Sequence, residues 1–229
     1  LCIGDGDAVQ MTGFGNINLG HFTGLQLSGF GNITGGTMDG AQVSGFGNIA
    51  NKVDGMQLSG FLNIANKVDG LQLGLFNVCD SIDGIPIGLA SFVRKGYRRM
   101  EFAANTALHT NLSFKMGVRH FYNMISVGAN YTGAFKWAFG YGIGTEFDLG
   151  KTGKNSLNID LISYNIKENG NYFSWDGYAN LEQLRVNFGM KMNERAQIFF
   201  GPSLNFLTTR NSIKGQQMAQ EIAPYSTWN

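Results

Sequence analysis

The chain has few of the residues that mark several common classes of protein. Only 14% of its 229 residues are charged and the formal net charge is +1, so it lacks the basic footprint of a nucleic-acid-binding protein. No run of 18 apolar residues is present, which excludes a transmembrane helix. Two cysteines, Cys2 and Cys79, cannot build a disulfide framework. The 3 prolines, 33 glycines and 13% aromatic residues are typical of an all-β chain with many turns and little helix.

A repeat of 14 to 16 residues fills the first ninety positions. Six leading small residues are spaced by 16, 16, 15, 15 and 14 positions: Ala8, Gly24, Gly40, Gly55, Gly70 and Gly84. Glutamine recurs in register, with proline in the sixth copy: Gln10, Gln26, Gln42, Gln57, Gln72 and Pro86. Asparagine recurs as well, with serine in the sixth copy: Asn16, Asn32, Asn48, Asn63, Asn77 and Ser91. Six copies at a nearly fixed period indicate a repeat architecture.

Two geometries fit this repeat. In a β-solenoid each copy is one coil, Leu25, Leu27, Phe30 and Ile33 point inward, and a corner lies at Ser28-Gly29. The glutamine and asparagine side chains then stack into ladders. In the alternative each copy is one strand of a larger β-barrel. We favour the solenoid, because near-identical turns after every repeat suit a parallel stack, and because the phenylalanine column suits a core.

Aspartates recur in the stretches between these columns, at Asp39, Asp54, Asp69 and Asp83. Each precedes a glycine, and Asp-Gly is a standard turn pair, so we interpret these stretches as turns. The spacing of a calcium-binding loop is absent, so we expect no metal ion and no cofactor.

The second half is organised around Ala134 to Leu149, whose two faces differ. The odd positions are aromatic, aliphatic or threonine, from Phe135 to Leu149, and the even positions are small or charged, such as Lys136 and Glu146. A period of two places these sets on opposite faces of one strand. The apolar face is long and aromatic, as in a membrane-spanning β-strand.

Neighbouring segments alternate in the same way and predict an antiparallel meander. We expect strands at seven positions: 98–108, 111–119, 121–131, 134–149, 156–166, 178–192 and 196–209. Short connections alternate with longer ones at 167–177 and 210–229, which is typical of an outer-membrane barrel. We therefore expect residues 1–93 to form the repeat region and residues 94–229 to form a transmembrane barrel of about eight strands.

Two features of this barrel are incomplete in the sequence. The seven strands are an odd number and no aromatic closing strand is evident, and an open edge in lipid leaves backbone groups unpaired. A single barrel of about fourteen strands, with the repeats as strands, is the alternative. The chain begins at Leu1 without a signal peptide, and we interpret it as a mature or trimmed chain because a barrel protein is exported.

The repeats of the form GxQxSGFxNIA run into GLFNVCDSIDGIPIGLASFVRKGYRR. They resemble a surface-repeat family of outer-membrane proteins found mainly in Bacteroidota. Downstream, TNLSFKMGVRHFYNMISVG, FGYGIGTEF and FFGPSLNF resemble the barrel portion of the same family. The resemblance implies an outer-membrane location in a Gram-negative bacterium. The family has no assigned activity, so no catalytic residues carry over. Asp80-Ser81-Ile82 also resembles the O-glycosylation site of exported Bacteroidota proteins, which makes Ser81 a candidate acceptor on an exposed turn.

The inward face of the barrel half carries most of its charge. The inward charged residues are Lys115, Arg119, Lys136, Glu146, Asp148, Asp160, Arg185 and Lys191. Side chains fill the interior of a barrel of about eight strands, so we expect a buried, mutually paired network that seals the lumen. A selective pore is the alternative. Tyr172, Phe173 and Trp175 lie in an outer loop that is a candidate contact for glycans or a partner protein.

These patterns predict a non-enzymatic outer-membrane surface protein whose barrel anchors a repeat region with a structural, scaffold or binding role. Its expected partners are outer-membrane lipid and other envelope proteins or glycans, and we expect no nucleic acid. The alternative function is a small-solute pore in which the repeats are barrel strands.

Overall fold

The computed structural model describes residues 2–150, 153–168, 178–193, 196–209 and 213–222. These residues form sixteen strands and one helix. The first eight strands are β1 (Gly6–Thr12), β2 (Gly15–Asn18), β3 (Phe22–Ser28), β4 (Gly31–Ser44), β5 (Gly47–Ser59), β6 (Leu62–Leu73), β7 (Phe76–Ile87) and β8 (Ala90–Val93). The others are β9 (Tyr97–Ala103), β10 (Thr110–Val118), β11 (Phe121–Asn130), β12 (Lys136–Leu149), β13 (Asn155–Glu168), β14 (Tyr178–Lys191), β15 (Gln197–Phe200) and β16 (Ser203–Thr209). The helix is α1 (Ile213–Ile222).

The repeats form a parallel, solenoid-like sheet. Equivalent residues of successive copies lie side by side, as where Gln42 pairs with Gln57 and Asn48 pairs with Asn63. Each copy therefore stacks on the next at the repeat spacing. The solenoid prediction is confirmed. The alternative with the repeats as barrel strands, and with it the fourteen-stranded barrel, is wrong because barrel strands of that kind pair antiparallel.

The inside of each coil differs from the sequence-based assignment. Asn32, Gln26 and Met38 are fully buried, whereas Phe30 and Ile33 are exposed. Apart from one aromatic ring, that of Phe22, the core is a column of small and aliphatic side chains beside the amide ladders: Met38, Ala50, Val53, Ala65, Val68, Cys79 and Val93. The phenylalanines stack instead on the outer surface at the Ser-Gly-Phe corner.

The predicted Asp-Gly turns are also wrong. Asp54 and Gly55 lie inside β5, and the bend there is taken within the strand by Gly55, whose φ of 128° is in a region that favours glycine. A Cβ atom at Gly55 would lie 2.1 Å from the carbonyl oxygen of Gly40. The glycine column thus lets consecutive coils approach closely at this bend.

The second sheet is antiparallel and curled, and its strands follow one another from β9 to β15. The long strands pair over most of their length: Lys136 lies opposite Glu168 and Leu149 lies opposite Asn155. By contact density the chain divides into Leu1–Arg98 with Met116–Asn123, and Arg99–Lys115 with Met124–Asn229. We call these the repeat unit and the sheet unit.

Two features of the sheet unit were not predicted. The expected strand 196–209 is interrupted at Gly201-Pro202, and both of its parts, β15 and β16, pair with β14. Proline lacks the N–H that a ladder needs, which accounts for the break. Residues 210–229 were expected to be a loop, but Ile213–Ile222 form α1. Among the described residues, no helix is long and apolar enough to cross a membrane.

Candidate functional site

The curl of the sheet unit gathers four charged side chains on its inner face. Glu101 comes from β9, Lys115 from β10, Asp160 from β13 and Arg185 from β14, and all four are buried. The period-two alternation of these strands places the charged residues inward. Most of their sequence neighbours, such as Phe102, Phe114 and Leu161, are exposed on the outer face, whereas Met116 is buried. The cluster contains two acids and two bases, so it is neutral as a whole.

These four residues form a closed ring of ion pairs. Lys115 Nζ lies 2.8 Å from Glu101 Oε2 and 3.0 Å from Asp160 Oδ2. Arg185 Nη2 lies 2.9 Å from Asp160 Oδ2 and 3.0 Å from Glu101 Oε1. Each charge therefore contacts two opposite charges, which offsets the cost of removing it from water. The arrangement is suited to filling and fixing the interior.

A network of uncharged polar groups lies on the same inner face. Asn111 Nδ2 donates to the Tyr164 hydroxyl, and Ser113 Oγ donates to Asn111 Oδ1 at 3.0 Å. The hydroxyls of Ser113 and Ser126 are 2.7 Å apart. Buried polar groups paired in this way rigidify an interior.

Two further ion pairs lie on this face. Arg99 Nη1 is 2.7 Å from Glu146 Oε2, and Lys136 Nζ pairs with Glu221 of α1. Lys136 Nζ also donates to the Thr132 carbonyl oxygen at 2.8 Å. Glu146 and Lys136 are buried, as the sequence predicts for inward-facing positions.

The structure brings together only part of the predicted charge set. Lys115, Asp160 and Arg185 meet in the ring, and Lys136 and Glu146 pair elsewhere on the inner face. Three other predicted members lie outside this buried group: Asp148 and Lys191 form an exposed pair 3.9 Å apart, and Arg119 belongs to the hairpin of the repeat unit.

Sequence reasoning missed three partners of the buried charges. Arg99 and Glu101 alternate with Met100 and Phe102, so the period-two signal was present although the segment was read as irregular. Glu221 carries no such signal, because it lies in the helix α1, which strand alternation does not predict. The candidate loop residues Tyr172, Phe173 and Trp175 lie outside the described residues.

A cavity of about 440 Å³ opens between the two edges of the curled sheet. Phe102 and Ala103 of β9 line one side, and residues from Gln197 to Phe200 of β15 line the other. Arg185 of the charge ring also lines it. The gap between the edge strands is therefore open to the inner face.

Ser81 lies on β7 and is half-buried, so the expectation that it occupies an exposed turn is wrong. The preceding Asp80 is bound by Arg94, whose Nη2 lies 2.6 Å from Asp80 Oδ2. This hydrogen bond, with the positive charge of Arg94, lowers the pKa of the Asp80 carboxyl below its usual value. O-glycosylation of Ser81 stays a prediction.

The outer surface of the repeat unit carries a ladder of phenylalanine rings. Phe14, Phe30, Phe46 and Phe61 stack with ring centroids 5.2, 4.9 and 5.0 Å apart. The rings follow the coil spacing, because the same corner recurs in each repeat. A groove of about 280 Å³ runs beside the ladder.

No group of three or more histidine, cysteine, aspartate or glutamate side chains in the described part of the chain is placed to hold a metal ion. Comparisons with protein-family models, with curated proteins and with solved structures found no match.

Proposed function

We propose that this chain is a non-catalytic outer-membrane surface protein in which the curled sheet is embedded in lipid and the repeat unit serves binding or scaffolding. The observation that carries the proposal is the inverted polarity of the sheet unit. Its inner face holds buried ion pairs, and its outer face exposes large apolar side chains: Phe139, Ile143, Phe147, Leu161, Leu204 and Phe206. Water disfavours such an outer face, and lipid favours it.

The strand lengths support the same environment. β12, β13 and β14 have 14 residues each. A tilted transmembrane strand needs about 9–11 residues to cross the hydrocarbon layer. These strands are therefore long enough to cross it and to extend into the headgroup region.

We propose further that one additional strand completes an eight-stranded barrel. The edges β9 and β15–β16 are the first and seventh positions of an antiparallel order, so they run in the same direction. A single strand that runs the other way pairs antiparallel with both edges, and the cavity of about 440 Å³ lies between them. Side chains fill the interior of a barrel of this size, in agreement with the buried charge ring.

The repeat unit supports the binding or scaffold part of the proposal. Its parallel stack presents regular columns of side chains over several coils, as in other solenoids that bind along an extended surface. The resemblance of the GxQxSGFxNIA repeats to the Bacteroidota surface-repeat family agrees with this role and with a Gram-negative outer membrane. Envelope proteins, glycans and lipids are the partner classes to test.

Refolding tests the membrane part. The urea-unfolded full chain is diluted into phospholipid vesicles, and its mobility on electrophoresis is compared with and without boiling. We expect vesicle association and a heat-dependent mobility shift, as for a folded barrel. A chain that refolds without lipid and stays in the aqueous fraction contradicts the proposal.

The alternative of a pore is tested separately. The ion pairs of Lys115 and Arg185 are buried and each base contacts two acids, which favours a filled interior over a water-filled one. We therefore expect no single-channel conductance when the refolded protein is added to a planar bilayer. Steady conductance steps that change in the Asp160→Ala variant support the pore instead.

A further inference from the structure

The groove beside the phenylalanine ladder has apolar walls along its whole length. We call it the Phe–Ile groove. One wall is Phe14, Phe30 and Phe46, the other is Ile17, Ile33 and Ile49, and the floor is Gly15, Gly31 and Gly47. Glycine leaves the floor open because it has no side chain, while the two walls stand on either side. The result is a slot that runs along the stacking direction across three coils.

The polar residues that line this groove point their amide groups elsewhere. Asn32 and Asn48 are fully buried, and Asn32 Nδ2 donates to Asn48 Oδ1 at 2.9 Å. Asn48 Nδ2 also donates to the Leu58 carbonyl oxygen at 2.8 Å. These amides are occupied inside the coil, and no charged residue lines the groove. The binding energy of a ligand in this groove therefore comes from apolar contacts, since few polar groups of the lining are directed at it.

The stacking of the rings argues against a sugar as that ligand. The planes of Phe14, Phe30 and Phe46 are within 3° of parallel, so each ring face contacts its neighbour. The groove is left with ring edges. Sugars bind aromatic residues through the ring face, whereas a hydrocarbon chain requires only an apolar surface.

The groove has one closed end. Leu62 stands at the position that Gly47 occupies in the preceding repeat, and its side chain lies across the floor. The ring ladder changes there too, since Phe61 and Phe76 meet edge to face at 75°. At the other end Phe14 is 75% exposed. The groove is thus open at Phe14 and blocked at Leu62.

We propose that the Phe–Ile groove binds the acyl chain of a single lipid, with the chain end against Leu62 and the polar headgroup in solvent beyond Phe14. The volume of about 280 Å³ is at the lower end of ligand sites and suits one narrow chain. This inference rests on the binding role proposed for the repeat unit, whose ligand class it names. It does not require that the curled sheet be embedded in lipid.

Photolabelling of the full chain in nanodiscs tests this inference. The probe is dodecanoic acid with a diazirine at its terminal carbon, and the adducts are mapped by mass spectrometry. We expect adducts concentrated between Phe46 and Leu62. Adducts spread evenly over the exposed apolar faces, or cross-links that join two copies of the chain through the groove, overturn the inference.

Two reciprocal variants sharpen the test. Gly47→Leu places in the third coil the side chain that the next repeat carries, and so blocks the groove. A Cβ atom at Gly47 would lie 2.9 Å from the carbonyl oxygen of Leu62, so the neighbouring coil must shift slightly, and urea denaturation is used to show that the variant is folded. Burying one methylene group of the probe changes its affinity about fourfold. Because Gly47→Leu excludes at least two methylene groups from the groove, we expect labelling to weaken at least about tenfold. Leu62→Gly opens the closed end and shifts the preferred probe to longer chains.

Lys52→Ala, at a position that does not line the groove, is the control and leaves labelling unchanged. If neither groove variant changes the labelling, the inference is wrong. The membrane proposal fails separately, through the refolding experiment above, so the two failures are distinguishable.

Discussion

At the scale of single residues, the repeats are held by two amide ladders that donate in opposite directions. Asn48 Nδ2 donates toward the following repeat, to Asn63 Oδ1 at 3.0 Å, whereas Gln57 Nε2 donates toward the preceding one, to Gln42 Oε1 at 2.9 Å. The amide dipoles of the two ladders therefore oppose each other. Buried amides that are fully paired specify one register, since a slip leaves them unsatisfied.

Asn48→Leu should destabilise the repeat unit strongly. The change removes the two N–H groups that Asn48 Nδ2 directs to Asn63 Oδ1 and to the carbonyl oxygens of Leu58 and Gln42. It also removes the oxygen that accepts from Asn32 Nδ2, so both neighbours in the ladder lose a partner. We expect a loss of about 3 kcal/mol in the free energy of unfolding, measured by urea denaturation. Asn51→Leu is the matched control: it removes a hydrogen bond from Asn66 to Asn51 that lies in solvent, so it should change the free energy of unfolding by less than about 1 kcal/mol. Equal effects at the two positions contradict the ladder.

Cys79 should be nearly unreactive in the folded protein. Burial, together with the nearby charge of Asp80, raises the pKa of its thiol to about 11. At pH 8 only about one thiol in a thousand is then ionised, so iodoacetamide should modify Cys2 first. Modification of Cys79 should rise about tenfold per pH unit between pH 8 and pH 10, and should be fast in denaturant. Rapid labelling of Cys79 at pH 8 without denaturant contradicts its burial.

The glutamine and asparagine columns predicted the ladders, but the inward and outward sets of the solenoid were assigned the wrong way round. The expectation was that Phe30 fills the core. The physical reason for the difference is the corner: carbonyl oxygens there turn inward, and Asn32 Nδ2 bonds one of them, that of Val43, at 2.9 Å. The amide must therefore be inside, which leaves the ring outside.

At the scale of elements, the glycine column sets how closely the coils stack. Gly40, Gly55, Gly70 and Gly84 have φ values between 123° and 151°, and each lies against the glycine of the preceding coil. Gly55→Ala destabilises the repeat unit for two reasons: alanine rarely adopts this φ, and its Cβ atom would clash with the carbonyl oxygen of Gly40. We expect a loss of about 3 kcal/mol, measured by thermal or urea unfolding.

Gly13→Ala is the control for this column. No atom lies within 4 Å of a Cβ placed at Gly13, so we expect a change within about 0.5 kcal/mol. If Gly55→Ala is as mild as Gly13→Ala, close packing at the bend is not what fixes the stack.

The strands of the second half were the most predictable elements, because their faces follow a strict period of two. β12 was expected at 134–149 and is observed at Lys136–Leu149, with Ala138 and Glu146 inward and Phe139 and Phe147 outward. The period-two pattern of apolar and polar residues predicts neither the break at Pro202 nor the helix α1. The ring partner Glu101 depended on tertiary contact, since its second base, Arg185, is reached only when β9 curls towards β14.

At the scale of the whole molecule, the inner face of the sheet unit depends on its ring of ion pairs. Asp160→Ala removes the acid that pairs with both Lys115 and Arg185. Breaking a buried pair leaves uncompensated charge, so we expect a loss of about 3–5 kcal/mol. Urea denaturation of the refolded protein measures it.

Asp148→Ala provides the comparison. Asp148 lies 3.9 Å from Lys191, and both side chains are exposed, so its removal should cost less than about 1 kcal/mol. A small effect of Asp160→Ala indicates a wet inner face, which favours the pore alternative.

The most direct test of the central claim is the accessibility of spin labels on β12. Labels are placed one at a time at Phe139, Ile143 and Phe147 in a chain whose Cys2 and Cys79 are replaced by alanine, with Lys52 as the water-exposed reference. In vesicles, we expect the three β12 labels to be accessible to oxygen and shielded from a nickel chelate, and Lys52 to show the reverse. Nickel accessibility at all three β12 positions equal to that at Lys52 contradicts an outer face in lipid.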